Sequence, residues 1–348
     1  MSDRDGSEDA RTRIDRAVIR YPRLGALHND IRLCQQLSHE TGEPQCMALS
    51  GVPGAGKTTL AKWYAAVFPR ARTEEKLTIP VLYIETPSPA TVKSVASRML
   101  RELGDPAHTR GTLWSMNGRL IDYVKECEVD LVILDDLHHL IDRETNEVLM
   151  QVSEWLKVLI KETAVPFLTV SIEGATDEIF RTNDQLSRLF PVRETLQPFR
   201  WDTADAAALA EFSQFVTFAE RAVAMEMDAS IPRIDALSRV HYATQGVVAY
   251  IMTLLRYAAL QARTKGHGTI EMSDLEHAFA QRLAKHVRRA HNPFTRAGEP
   301  FVAPPEEPFV APPDEPTTDP EPPVDDTTKG RKTRKDSRKG RGRNKPAP

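Results

Sequence analysis

The stretch ALSGVPGAGKTTL, residues 48–60, decides the fold. Within it, residues 51–58 carry the complete pattern G-x-x-x-x-G-K-[ST]. An apolar run at 46–50 precedes it and a helical pattern at 58–68 follows, the strand–loop–helix setting that a phosphate-binding loop requires. Each residue type has a reason. Glycines let backbone N–H groups turn inward around phosphate oxygens without a clashing Cβ. A helix beginning near Lys57 points the positive end of its dipole at the same place. Lys57 is placed to reach β and γ phosphates, and the Thr58 hydroxyl to hold Mg²⁺, a cation that takes few protein ligands and keeps several waters. Gly51, Val52, Pro53, Gly54, Ala55, Gly56, Lys57, Thr58 and Thr59 are thus the candidate residues for holding ATP.

Such a loop needs an acidic residue at the end of a neighbouring buried strand. LVILDD at 131–136 supplies it. Asp135 is expected to hold Mg²⁺ through water. Asp136 is the candidate for polarising the attacking water. Aspartate is one methylene shorter than the glutamate usual there, so hydrolysis is expected to be slow.

Outward from these two motifs, apolar runs alternate with amphipathic stretches. Strands are expected at 46–50, 79–85, 129–134 and 165–172, with a short fifth at 194–196. Helices are expected at 15–41, 58–68, 91–103, 113–126 and 147–163. Leu24, Leu27, Ile31, Cys34 and Leu37 form the apolar stripe of the first helix. Strands that are apolar on both faces and separated by helices indicate a parallel sheet covered on both sides. After Pro198 the alternation stops. Residues 203–228, 231–243, 246–264 and 273–289 read as helices, with Ser273 and Glu276 as a capping box for the last. The fold class is therefore α/β: a parallel five-stranded sheet flanked by helices, a small all-α lid and a disordered tail. This is the plan of the AAA+ P-loop ATPases. The expected divisions are a disordered 1–14, a core at 15–199, a lid at 200–292, a Pro-rich acidic linker at 293–328 and a basic tail at 329–348.

That plan adds weaker candidates. The fourth strand ends in Thr169 and Ser171; Ser171 is preferred as the polar sensor between Asp136 and the γ-phosphate. Arg188, in QLSRLF, stands where AAA+ proteins carry the arginine that reaches a neighbour's γ-phosphate; Arg181 and Arg193 compete for the role. A lid arginine normally follows a glycine by three residues, but Gly246 is followed at that spacing by Ala249, and Arg256 is a poor substitute.

Charge is distributed unevenly. Net charge is −3. Residues 295–328 hold nine acidic and one basic residue, and residues 329–348 hold ten basic and one acidic. The body is nearly neutral, so only the last segment argues from bulk charge for nucleic acid. In the linker, EPFVAPPE at 299–306 recurs as EPFVAPPD at 307–314. Proline density favours extended chain there. The repeat reads as a spacer; the alternative is a linear docking motif built on Phe301 and Phe309. No run of about 18 apolar residues exists, so no membrane span is expected. The polar N-terminus does not read as a signal peptide, and Cys34, Cys46 and Cys127 have no metal-ligand spacing. A cytoplasmic protein is expected.

The segments ALSGVPGAGKTTLAKWYA, VLYIETPSPATVKSVASRML with its trailing ELGDP, and LVILDDLHHLI together resemble the TniB family of transposition ATPases, relatives of TnsC and of the transposition protein B of phage Mu. His138, three residues after Asp135, fits the family pattern D-[DE]-x-H. QLSRLF matches its S-R-F ending with Leu189 inserted. The resemblance covers about residues 15–290. It implies that ATP-loaded subunits assemble as a ring or helical filament on duplex DNA and deliver that target to a DDE transposase, with a target-selector protein as a further partner. Arg188 would come from the next subunit. Binding to DNA would follow phosphates rather than bases. Thr91, Lys93, Arg110 and Thr112 are the candidate DNA contacts. The alternatives are a replication-initiator or loader-type ATPase, and a signalling NTPase that binds only proteins.

Overall fold

The computed structural model describes residues 18–74, 76–88, 90–141, 145–287, 291–295 and 301. The expected N-terminal segment 1–14 and the tail 329–348 lie outside the described residues, as does nearly all of the linker.

Among the described residues the first helix is α1 (Pro22–Thr41); residues 18–21 ahead of it are not helical, and residue 15, where the periodicity set its start, lies outside the described residues. Pro22 occupies the first helical position, where its missing N–H costs nothing, and Gly42 ends the helix at φ 71°. Leu24, Leu27, Ile31 and Cys34 are buried as expected, but Leu37 is exposed and Ser38 takes its place on the stripe.

The sheet contains β1 (Met47–Gly51), β4 (Val81–Glu85), β5 (Leu131–Asp135), β6 (Phe167–Val170) and β7 (Val192–Leu196). All neighbours are parallel, in the order β4-β5-β6-β1-β7. A small hairpin, β2 (Ala71–Arg72) with β3 (Leu77–Thr78), precedes β4 and was not foreseen. The helices that cross between the strands are α2 (Lys57–Val67), α3 (Val92–Glu102), α4 (Leu113–Glu126) and α5 (Asn146–Thr163). Two more short helices, α6 (Ala175–Thr182) and α7 (Asp184–Leu189), lie between β6 and β7.

Alternation along the strands divides the core. Met47, Leu49, Ile133, Leu168 and Val170 pack on the face shared with α1, α2 and the lid. Ala48, Leu82, Ile84, Val132, Leu134 and Phe167 pack with α3, α4, α5 and α6 on the other. Strand β7 runs two residues longer than expected because Val192 and Arg193 pair with Met47 and Ala48.

The lid consists of α8 (Ala206–Val223), α9 (Arg233–Thr244), α10 (Val248–Lys265) and α11 (Met272–Arg282). The expected cap at Ser273 and Glu276 is displaced: Glu271 and Asp274 form the capping box, and the helix stops at Arg282 rather than 289. Asp274 is fully buried and also bonded by Lys265 and His267, which fixes it in the cap. The lid core is continuous with the lower sheet face through Tyr21, Phe199, Phe212 and Phe215, whose rings pack edge-on or tilted. Among the described residues, no helix is long and apolar enough to cross a membrane.

Candidate nucleotide site and DNA-facing surface

The loop 52–56 rises from the end of β1 and turns into α2. Two glycines of the motif 51–58 are forced by close approach. At Gly51 (φ 149°) a Cβ would collide with the carbonyl oxygen of Leu196 on β7. At Gly54 (φ 78°) a Cβ would stand 2.9 Å from the Ala249 Cβ and 3.2 Å from Val247. The start of α10 thus rests on the loop, and the Ala249 N–H donates to the Gly54 carbonyl at 3.0 Å. The lid position that normally carries an arginine is this Ala249, a methyl against the loop. Arg256 is exposed farther along α10.

Lys57 is 8% exposed, and its Nζ donates to the carbonyls of Gly51 (2.8 Å) and Val52 (3.0 Å). Burial pulls its pKa below the ordinary 10.5, against the opposing pull of the Asp136 and Asp135 carboxylates. Both acidic candidates are therefore near enough for their charge to act on the loop lysine. Asp135 is fully buried at the end of β5. Its carboxylate accepts from the Tyr83 hydroxyl (2.8 Å) and the Asp136 N–H (3.0 Å), and is hydrogen-bonded to the Thr58 side chain. Burial raises its pKa above the ordinary 3.8; the Tyr83 bond is the main opposing influence. A hydroxyl and a carboxylate in contact with each other, beside a buried ammonium, form the hard-oxygen edge that Mg²⁺ on a polyphosphate requires. The donor set fits the metal.

Asp136 is half-buried in the left-handed region (φ 55°, ψ 41°), at the head of a 3₁₀ turn over Leu137–Leu140. Its side chain makes no capping bond there. A non-glycine residue in this conformation is held by its surroundings at a cost of about 1 kcal/mol or more. His138 and His139 occupy the turn, their rings 4.3 Å apart.

Ser171 follows β6, its N–H donating to the Leu49 carbonyl at 3.0 Å. Its hydroxyl is bonded to Thr176 and to the Ile172 carbonyl. Thr169 is fully buried, and its hydroxyl has no hydrogen-bond partner among the described residues. Thr86 was missed from the sequence. Its N–H donates to the Asp135 carbonyl (2.9 Å), which sets it beside Asp136, and its buried hydroxyl is likewise without a partner. A lone threonine after a strand-ending glutamate gives no sequence signal of this.

Arg188 is exposed in the last turn of α7, and Arg181 in the last turn of α6. Arg193 is committed within the chain: it donates to Phe190 and Ser187 and lies 4.3 Å over the Phe180 ring. That leaves Arg188 and Arg181 to reach outward.

The four candidate DNA residues are brought to one end of a helix pair. Thr91 caps α3 in a reciprocal box with Ser94, and Thr112 caps α4 by accepting from Ser115. The loop after α3 runs back along it, with His108 bonded to Ser97 at 3.2 Å. Cys127, past the end of α4, contacts the Leu103 carbonyl past the end of α3 at 3.7 Å. The two helices therefore run in the same direction, and both positive ends point one way. Lys93 and Arg110 are exposed there. Arg119 holds the return loop through Asp105 (2.8 Å) and the carbonyls of Ala107 and Arg110. Trp114, in the first turn of α4, is 86% exposed. It lies off the Met116–Leu120–Val124 stripe, the one sequence feature that marks it.

Solved structures share the fold. The Cdc6p of Pyrobaculum aerophilum is 16% identical over 77% of this chain and 69% of its own, with a TM-score of 0.56. The Aeropyrum pernix Orc1 protein in complex with DNA is 17% identical over 76% of this chain and 66% of its own, at 0.53. The Aeropyrum pernix Orc2 protein, with its ADPNP and ADP complexes, is 18% identical over 76% and 68%, at 0.52. The chain spans about two thirds of each. No curated protein matches the chain in sequence. The family model of the bacterial TniB protein matches residues 11–201, from ahead of α1 through the loop, Asp135 and Arg188 to the end of the sheet. That match spans more than half of the chain, and with the β4-β5-β6-β1-β7 sheet and helical lid it makes this protein a member of the TniB family with an AAA+ ATPase fold.

Proposed function

We propose that the chain is an ATP hydrolase that binds Mg²⁺-ATP at residues 51–59, assembles in that state along duplex DNA, and delivers the DNA to a DDE transposase. The observation that carries the reading is the convergence of Lys57, Thr58, Asp135 and Asp136 at the loop, in a chain of this family. When bound, Mg²⁺ neutralises phosphate charge and fixes the phosphates' orientation. The residues do the rest. The loop amides and Lys57 hold the phosphates, Asp135 and Thr58 fix the metal side, and Asp136 accepts a proton from the attacking water. Ser171 or Thr169, with Thr86, would hold that water and Asp136 in line. Arg188 of a neighbouring copy would stabilise charge on the departing phosphoryl group.

Asp136 sets the rate in this reading. Turnover should fall well below about 10 per second, the middle of the enzyme range. Asp136→Glu should raise the steady-state rate by restoring the missing methylene, and Asp136→Asn should abolish it with ATP binding retained. A parent chain that already turns over at that rate would remove the reach argument.

For DNA, Lys93, Arg110 and the helix ends at Thr91 and Thr112 would contact phosphates, with Trp114 beside them as a face on which a base or sugar can pack. Lys93→Glu should abolish ATP-dependent assembly on DNA while leaving ATP affinity unchanged. Filament formation that survives the change would remove Lys93 from the surface.

The fold likeness to Orc1 and Cdc6 proteins favours a second reading, an initiator or loader-type ATPase. A gel shift with duplexes of several lengths, in ATP and in ADP, separates the two. Sequence-indifferent binding that needs ATP and strengthens with length supports the transposition reading. Binding to one defined sequence supports the other.

A further inference from the structure

Phe301, the aromatic residue of the first EPFVAPP copy, is seated on the lid. Its ring lies 5.2 Å from the Tyr242 ring in an edge-on arrangement, and the Arg239 guanidinium stands 5.4 Å over it. His291 flanks the pair, 5.6 Å from Tyr242. The Phe301 N–H donates to Asp235 Oδ1 at 2.8 Å. The receptor is built from the α9 residues Asp235, Arg239 and Tyr242. Arg239 is 1% exposed; it bonds Asp235 Oδ2 at 2.7 Å and the Pro293 carbonyl. Asp235 is therefore held with one oxygen on Arg239 and the other turned to the tail. The site reads two features: an aromatic ring and the amide of the residue that carries it.

Both features occur twice. Residues 307–314 repeat residues 299–306 except for aspartate in place of the final glutamate. In each copy a proline precedes the phenylalanine and two prolines follow the alanine, so the segment is pre-set toward extended chain and loses little entropy on docking. We infer that the α9 face is a docking site for this chain's own Phe-centred proline segment, and that the second copy, centred on Phe309, competes with the first for it. Thr295, the last described residue before the repeats, lies six residues from Phe301 and fourteen from Phe309. Loop closure then favours the first copy by about fourfold. Copies in the same chain see the site at an effective concentration of roughly millimolar, which favours them over another molecule's tail. The copy that docks sets the tether of the basic segment 329–348. The two settings differ by eight residues, about 25 Å of extended chain.

The test uses the full chain and a fluorescein-labelled peptide PEEPFVAPPDEP, residues 305–316. The chain carrying both Phe301→Ala and Phe309→Ala should bind the peptide, read by anisotropy, and should not bind the peptide with alanine for its phenylalanine. The chain with Phe301→Ala alone should bind it about tenfold more weakly, because Phe309 fills the site from the same chain. That protection should not change with protein concentration. Absence of binding to the double variant would overturn the docking site. Equal binding by single and double variants would overturn the competition, and protection that grows with protein concentration would overturn docking within one chain. No nucleotide or DNA is needed, so the outcome is independent of the function proposed above.

Discussion

Arg188→Ala should lower ATP turnover by about 10³- to 10⁵-fold, the effect of removing an arginine that stabilises charge on the transferred phosphoryl group. ATP affinity of the isolated chain should hardly change. Arg188 is exposed in the last turn of α7, and its proposed target is the site of the next copy. The decisive form of the experiment mixes two inactive variants. A Lys57→Ala subunit, at ATP concentrations below its weakened Kd, takes up little ATP but still offers Arg188. An Arg188→Ala subunit holds ATP but lacks the arginine. If the arginine acts between subunits, the mixture recovers turnover that neither variant has alone. A mixture as inactive as its components, with assembly on DNA intact by electron microscopy, would remove Arg188 from the role and leave Arg181 as the outward arginine to test.

Lys57→Ala should weaken ATP binding by about 3 kcal/mol, or about a hundredfold in Kd, the loss of charge-assisted bonds to two phosphates in a buried site. Lys57 is 8% exposed and its charge is favoured by Asp136 and Asp135, so its removal also takes positive charge away from the loop. A melting curve of the variant separates lost affinity from lost fold. Thr58→Ala is the companion: it should erase the advantage that Mg²⁺ gives and leave metal-free binding close to the parent. If Lys57→Ala binds ATP as tightly as the parent, the loop is not the phosphate site.

The same geometry fixes a pH window for ATP affinity. Lys57 must be charged to hold phosphate, and burial has lowered its pKa, so affinity should fall on the alkaline side before an ordinary lysine would lose its proton. Asp135 must be ionised to support Mg²⁺, and burial has raised its pKa, so affinity should fall on the acid side above the ordinary carboxylate range. The Tyr83 bond favours the carboxylate. Tyr83→Phe should therefore move the acid limb to higher pH and leave the alkaline limb in place. A Kd profile that keeps its acid limb in that variant would contradict the part assigned to Asp135.

The segment from β1 to α2 was legible because three independent signals coincide there: an apolar run, glycines at forced positions and a lysine opening a helix. The burial of LVILD told the same for β5. Helices α6 and α7 were not read. They are short, and the Asn183 side chain caps the second one immediately after the first stops, which breaks the helical period across residues 175–189. The cap of α11 was misplaced by two residues because Ser273 with Glu276 suits the capping-box pattern, whereas Glu271 with Asp274, the pair that caps the helix, does not. Only the burial of Asp274 between Lys265 and His267 decides it. The three arginines 181, 188 and 193 look alike in sequence; the Ser187 and Phe180 contacts of Arg193 separate it from the others. Thr86 and Trp114 came from the structure alone, one from a buried hydroxyl and the other from an exposed indole.

The most direct test is a calorimetric titration of the parent chain with ATP, with Mg²⁺ and again with chelator. The account predicts one site per chain, with affinity strengthened by the metal through Thr58 and Asp135. A chain that takes up no ATP in either condition, or one whose binding is indifferent to Mg²⁺, would contradict it.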